Sequence, residues 1–369
     1  MKQYLTFAVF FSVTANAATI PVKIHFFEAL APKDTTSSER FQKEYDGAIS
    51  TAKILVGPRL KKCGYQLETS TVFYNASDAL EAMERGKASA NQNAWLIVGP
   101  RRSNHYVLLV KGAENTPTVS TMASSKEVFE LGSTHNTMAP SNAQMARVAA
   151  TEAKKRAAKN KTFVSLVSED CVACVDFAES FAAEAQKLGI KNTKTFKVAG
   201  ETPNLSDIVL DIKNLKPSFV LLPNYSKVTA QAIAAIHKSV PDAFYVGGDG
   251  WGDSRFGFVQ NAADLDGTHG FTVRGFPTTE EGLKAFPLGK DLLKSKDASV
   301  QQPGSASALS LLKILDSTVS LLCESKPKNK DEFTKAISKK GRSAFKSPWG
   351  VSIYEMKSGD ISFGRSVSK

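Results

Sequence analysis

Two cysteines separated by two residues, Cys171 and Cys174 in "EDCVACVDF", have the most reactive spacing in the chain. They follow a strand-like run and open a helix-like one, the setting in which a helix N-terminus lowers a thiol pKa and a pair of this spacing does redox work. The surroundings lack the strand order of a thioredoxin-like fold, and no histidine follows Cys174, so the motif excludes covalent haem attachment. A local structural disulfide is the leading reading, with free thiols and a redox pair as alternatives. The other two cysteines, Cys63 at the end of the first long helix and Cys323 at the end of "ALSLLKILDSTVSLLCE", would bridge those helices. Four cysteines allow three pairings, and sequence alone does not choose among them.

Other chemistry is expected to be binding rather than catalysis. His25, His105, His135, His237 and His269 show no metal-ligand spacing, and each reads as structural. There is no G-x-S-x-G elbow and no phosphate-cradling loop with its lysine. "GGDGWGD" is glycine-rich but lacks the spacing and following helix that would hold a dinucleotide. No cofactor and no metal is expected. What stands out is "TPTVSTMASS", where a β-like run ends in the small hydroxyl residues Ser120, Thr121, Ser124 and Ser125 with no turn glycine to explain the change. Hydroxyls and free backbone N–H groups at a strand end suit a carboxylate without a fixed positive charge. Asp249, in its glycine-rich stretch, suits an ammonium group that approaches closely.

The elements that must position these residues alternate in one manner. "TIPVKIHFFEAL" reads as a strand, and apolar positions recur at helical spacing from about Arg40 to Lys62. "YQLETSTVFY" is a strand, and "ASDALEAMERGKA" a helix started at Ser77. "AWLIVGP" is a continuous apolar strand of the kind buried on both faces of a parallel sheet. The helix "SNAQMARVAATEAKKRAAK" starts at Ser141. Three further strands, "TFVSLVSED", "SFVLLPNYS" and "AFYVGGDG", are each accompanied by helix-like stretches. Such alternation predicts an α/β protein with parallel sheets covered on both sides, whose ligands bind beyond the carboxyl ends of the strands. With 369 residues and 42% apolar composition the chain should form two lobes.

The first residues read as a leader. "MKQYLTFAVFFSVTANA" has a cation at Lys2, an apolar run from Leu5 to Val13, and Ala15 and Ala17 in the A-x-A arrangement of a signal-peptidase site, so residues 1–17 are expected to be removed. The run is too short to span a bilayer, no later segment is expected to do so, and the mature chain should be soluble in a periplasm. The formal charge of +11 is spread through segments with acidic or polar neighbours, which reads as a solvated basic surface rather than a nucleic-acid face.

The order of "GAISTAK", "IVGPRRSNHY", "TPTVSTMASS", "NTMAPSNAQMARVAA", "FAESFAAEAQKLG", "SFVLLPNY" and "YVGGDGWGD" resembles the type I periplasmic solute-binding proteins, and most nearly the branched-chain amino-acid (Leu/Ile/Val) binding proteins of ABC importers. The resemblance runs over nearly all of the mature chain and rests on pattern order. It implies two Rossmann-like lobes with parallel central sheets, joined by a three-strand hinge and closing on a small ligand. It places the ligand carboxylate on Ser103, on Met122 by its backbone and on Ser124 by its side chain, the ammonium on Asp249, and Tyr225 in the pocket wall. Where many relatives open the second-lobe helix with tyrosine, this chain has Ala173 or Cys174, so Cys174 is a further candidate. Arg101 and Arg102 lie beside the carboxylate site, and Arg102 is a candidate that would favour a more anionic ligand. The loop segment "APKDTTSSERFQKEY" is a further candidate to reach the cleft.

The expected organisation is residues 18–139 with 273–345 as one lobe and 140–272 with 346–369 as the other, "HGFTVRGFP" being one crossing. The expected function is capture of a small ligand, with an amino acid as the leading candidate and amides and small organic acids as the other options, by a monomer that delivers it to a membrane permease without catalysis. A sensor that docks on a membrane receptor and a periplasmic thiol redox protein are the alternatives.

Overall fold

The computed structural model describes residues 19–30, 35–156, 161–200, 203–252 and 262–367. The expected leader lies outside the described residues.

The first sheet is built from β1 (Ile20–Leu30), β2 (Tyr65–Asn75), β3 (Leu96–Val98), β4 (Thr118–Ser120) and β5 (His135–Thr137), all parallel, in the order β2-β1-β3-β4-β5. The second holds β6 (Thr162–Ser168), β7 (Lys191–Val198), β8 (Phe219–Leu222), β9 (Phe244–Gly247), β10 (His269–Arg274), β11 (Val351–Lys357) and β12 (Asp360–Val367). Its order is β12-β11-β10-β9-β8-β6-β7, parallel from β7 to β10 and antiparallel beyond. The antiparallel hairpin turns on Ser358 and Gly359, both at positive φ, which matches the twist of the flanking strands.

Helices cover both sheets. Around the first are α1 (Thr35–Lys62), α2 (Ala79–Asn91), α3 (Ser103–Ala113) and the short α4 (Lys126–Glu130). Around the second are α5 (Asn142–Arg156), α6 (Val172–Lys187), α7 (Ser206–Leu215) and α8 (Ser226–Ser239). The chain then returns to the first sheet with α9 (Thr279–Lys284), α10 (Pro287–Lys294), α11 (Ala306–Ser325) and α12 (Lys330–Lys340). One core joins Val22, Ile24 and Phe26 of β1 to Leu283, Leu312 and Ile337 of these returning helices and to Phe286, which caps α10. Two other cores flank the second sheet and take in Val351, Ile353 and Met356 of β11. The chain therefore passes between the sheets three times, between β5 and α5, between β10 and α9, and between α12 and β11. In the second lobe Phe163, Phe181 and Phe219 stack or meet edge to face with centroids 5.2–5.9 Å apart, the favoured geometry for buried rings.

Three sequence expectations need correction. The helix expected from Arg40 starts at Thr35, so the stretch expected as a loop reaching the cleft is, where described, the first turns of α1. α2 is capped by Asp78, whose carboxylate accepts from the amides of Leu80 and Glu81, rather than by Ser77. Carboxylate caps are at least as effective as hydroxyl caps, and Asp78 stands one residue nearer the first helical turn. The α11 segment is long and apolar enough to cross a membrane, contrary to the reading that no later segment is. Its residues from Ser307 to Leu322 are almost all buried in the first core, which accounts for the apolar composition. The start of α5 is as expected: Ser141 Oγ accepts from the Gln144 amide and Gln144 Oε1 accepts from the Ser141 amide, a reciprocal capping box.

Candidate functional site

Each sheet reverses its strand order at one place, between β1 and β3 in the first and between β6 and β8 in the second. Open α/β sheets leave a crevice there, outside the carboxyl ends of the strands. The sequence candidates cluster at these ends: Arg102 and Ser103 follow β3, Met122 and Ser124 follow β4, Cys174 follows β6, Tyr225 follows β8, and Asp249 follows β9.

On the first lobe, hydroxyls organise the loop after β4. Ser120 Oγ donates to the Pro100 carbonyl at 2.6 Å and accepts from the amides of Met122 and Ala123 at 3.3 and 2.9 Å. Ser103, buried at the start of α3, accepts from the amides of Ser124 and Ser125 at 3.1 and 3.2 Å. Its own hydroxyl proton has no acceptor among the described residues, and two accepted bonds polarise that O–H for donation. Thr121 and Ser125 also carry buried hydroxyls with no partner among the described residues. The loop thus presents hydroxyl protons backed by amides, which is what an incoming carboxylate requires.

The second lobe presents acceptors and an aromatic wall. Asp249 is half-buried, and Ser124 Oγ reaches across from the first lobe to its Oδ2 at 3.4 Å. Tyr225 caps α8 and lies beneath the Arg102 guanidinium, 5.6 Å from Cζ to the ring centroid. Asn224 fixes this wall: its Oδ1 accepts from the Ser168 amide at 2.7 Å and its Nδ2 donates to the Leu166 carbonyl at 2.8 Å, tying the ends of β6 and β8 together. Two of the glycines around Asp249 have a packing role. A Cβ on Gly247 would lie 2.3 Å from the Trp251 ring, and one on Gly250 would lie 2.9 Å from the Asn224 carbonyl oxygen. Trp251 also donates its indole N–H to the Leu222 carbonyl at 2.6 Å, so the loop carrying Asp249 is wedged from below.

The structure brings Ser103, Ser124 and Asp249 into one contact chain and sets Arg102 against Tyr225. Two candidates have other surroundings. The Met122 amide is taken by Ser120, and its sulphur packs on the first core beside Ser307 Oγ at 3.0 Å. Cys174 is disulfide-bonded to Cys171, and both are buried in the core of the second lobe, with Cys171 Sγ accepting from the Cys174 amide. Cys63 and Cys323 form the second disulfide, joining the ends of α1 and α11.

Several rim residues escaped sequence reading. Glu28, fully buried at the end of β1, accepts from the amides of Ala29 and Arg101 and pairs with the Arg101 guanidinium at 3.7 Å. Arg101 lies over the Phe41 ring, 4.5 Å from its centroid. Asp176 of α6 accepts from the Lys126 amide of α4 at 2.9 Å and from Asn142 Nδ2 at 2.8 Å, while the Asn142 amide donates to the Ser124 carbonyl at 2.9 Å. These bonds tie the lobes together beside the Ser124–Asp249 contact. A lone acid inside the apolar run "IHFFEAL" was the only available hint of Glu28. Nothing marked Asp176 or Asn142.

No protein-family model and no curated protein matches the chain. Solved structures do. A leucine-binding protein of Thermotoga maritima aligns with a TM-score of 0.73 at 14% identity over 94% of this chain and 99% of its own. A branched-chain amino-acid transporter substrate-binding protein of Streptococcus pneumoniae, solved with isoleucine, aligns with a TM-score of 0.71 at 17% identity over 95% and 100%. A solute-binding protein of an R. palustris ABC transporter, in complex with benzoate, aligns with a TM-score of 0.68 at 16% identity over 95% and 98%. Two parallel α/β lobes with a crevice between their strand ends, superposable on these structures over nearly the whole chain, have the type I periplasmic binding protein fold.

Proposed function

We propose that this chain is an extracytoplasmic solute-binding protein that captures an α-amino acid between its lobes and delivers it to the permease of an ABC importer, without catalysis. The observation that carries the reading is the Ser103–Ser124–Asp249 chain. Ser103 offers a polarised hydroxyl proton on one lobe, Asp249 offers a carboxylate on the other, and Ser124 Oγ stands 3.4 Å from Asp249. A ligand carboxylate would take the hydroxyl protons of the first lobe. Its ammonium would donate to Asp249 in place of the Ser124 hydroxyl, which now stands 3.4 Å from Oδ2 and would turn its oxygen to accept. Binding then stabilises the closed form, because the closed form alone presents both sets of groups. The fold supports this reading, as do the leucine- and isoleucine-binding neighbours. The leader expected at residues 1–17 supports the extracytoplasmic location.

A thermal-shift panel on the mature chain tests it. A ligand at about a hundred times its dissociation constant stabilises by roughly 2.7 kcal/mol. At least one α-amino acid should raise the melting temperature, and the matching acid without its amine should not. Equal shifts with and without the amine, or no shift from any amino acid, would overturn the reading.

A further inference from the structure

The rim contains two adjacent arginines with different electrostatic surroundings. Arg101 is neutralised by the buried carboxylate of Glu28, and its guanidinium rests on Phe41. Arg102 is half-buried, and among the described residues it has no carboxylate within ion-pairing distance and no side-chain hydrogen bond. Its guanidinium meets the Tyr225 ring across the crevice. A guanidinium over an aromatic ring uses the attraction of the π face and leaves its five N–H donors available. Holding such a cation partly out of water without a partner costs free energy, and a bound anion removes that cost.

The charges of the site indicate where the anion belongs. An amino acid with a neutral side chain would satisfy Asp249 through its ammonium and the hydroxyls through its carboxylate, leaving Arg102 with no carboxylate partner among the described residues. A second carboxylate on the ligand side chain would pair with Arg102, completing one partner for each charged group. Arg102 immediately precedes Ser103 and caps the same helix, so its side chain reaches over the crevice from beside the proposed α-carboxylate position.

We propose that the cleft selects α-amino acids whose side chain ends in a carboxylate, with Arg102 as the residue that selects them. The inference rests on the amino-acid reading above and narrows it. A planar carboxylate can accept two parallel N–H bonds from a guanidinium, which a lysine ammonium does not reproduce. Arg102→Lys should therefore retain only part of the preference, and Arg102→Met should remove it.

Isothermal titration of the mature chain with L-glutamate, L-aspartate, L-glutamine and L-leucine tests this, using wild type, R102K and R102M. The expected result is that wild type binds one acidic amino acid about a hundredfold more tightly than its amide or L-leucine. R102M should lose that preference while still binding L-glutamine, and its unliganded melting temperature should fall by no more than a few degrees, since a single cation–π contact contributes only a small part of the stability. Tighter binding of L-leucine or L-glutamine than of either acid would overturn the selection while leaving the amino-acid reading in place. A uniform loss across all ligands in R102M would overturn it too, because Arg102 would then be needed for closure rather than selection. If none of the four binds wild type, the amino-acid reading fails and this inference fails with it.

Discussion

The two rims meet across one crevice but are built differently. The first lobe presents hydroxyls held by backbone amides: Ser120 and Ser103 each accept two N–H bonds from the loop between them and α4. The second presents single side chains on a rigid mount, with Asp249 wedged over Trp251 and Tyr225 held by the Asn224 bridge. Redundant donors tolerate the loss of one, whereas a lone acceptor does not. The anion half of the site should therefore degrade gradually under mutation and the cation half abruptly.

The largest expected effect on ligand affinity is on the second lobe. Asp249→Ala removes the only carboxylate proposed to meet the ligand ammonium, and truncating one partner of a close charge pair costs about 2–5 kcal/mol. Affinity for the tightest α-amino acid should fall by about a thousandfold, corresponding to roughly 4 kcal/mol. Titration would read it directly, and a loss below tenfold would mean that Asp249 does not hold the ammonium.

The disulfides sharpen the same contrast in stability. Cys63–Cys323 in the first lobe closes a sequence separation of 260 residues, and Cys171–Cys174 at the second rim closes one of 3. Chain-entropy arithmetic assigns about 5.5 kcal/mol to the long closure and about 2 kcal/mol to the short one. Replacing Cys63 and Cys323 together by serine should lower the melting temperature clearly more than replacing Cys171 and Cys174. The reverse order would show that the short bridge is the more important staple, through its place in the core beside Phe177.

Legibility in the sequence divides along similar lines. The strands were readable because parallel sheets buried on both faces leave continuous apolar runs, as in "AWLIVGP" and "SFVLLPNYS". The hydroxyl cluster after β4 was readable because small polar residues at a strand end have few structural uses. Asn224 and Trp251 stand in the strand-end runs "SFVLLPNY" and "YVGGDGWGD", but their bonds to Ser168, Leu166 and Leu222 depend on neighbouring strand ends that meet only in the sheet. The indole that fills the space beside Gly247 in "GGDG" comes from Trp251, and no local pattern announces that packing. Asp176 and Asn142 bridge the lobes from helix starts far apart in sequence, and no local spacing encodes such a pairing.

Ser103→Ala tests redundancy on the first rim. It removes one donor to the ligand and leaves the Ser124 and Ser125 amides without their acceptor, and one lost hydrogen bond costs about 1–3 kcal/mol when its partner stays buried. Because the two freed amides can themselves turn to the ligand carboxylate, the lower part of that range is expected, about tenfold in affinity. A thousandfold loss, equal to that of Asp249→Ala, would break the contrast between the rims.

The smallest expected effect is in acid. Burial lowers His105 to about 4, aided by the nearby charge of Arg102, and burial lowers His135 to about 4, both from 6.5. Both belong to the first lobe, where His105 Nδ1 bonds to the Tyr74 hydroxyl and His135 Nδ1 to Thr118 Oγ1 at 2.9 Å each. The unfolded chain binds these protons first, so their contribution to stability is full above about 6.5 and is lost as pH falls toward 4. His25 moves in the same direction, while Asp46, raised by burial, opposes it. In the second lobe burial works to raise Glu152, but bonds and charge from Arg156 and Arg365 outweigh it and leave it lowered from 4.5. That contribution is lost only as pH falls below about 4.5. Between pH 6.5 and 4.5 the first lobe should therefore weaken before the second. Hydrogen exchange at pH 7 and pH 5 should show protection falling in α3 and β5 but not in α5, and His105→Gln with His135→Asn should flatten the difference. Parallel loss in both lobes would place the acid-sensitive groups elsewhere.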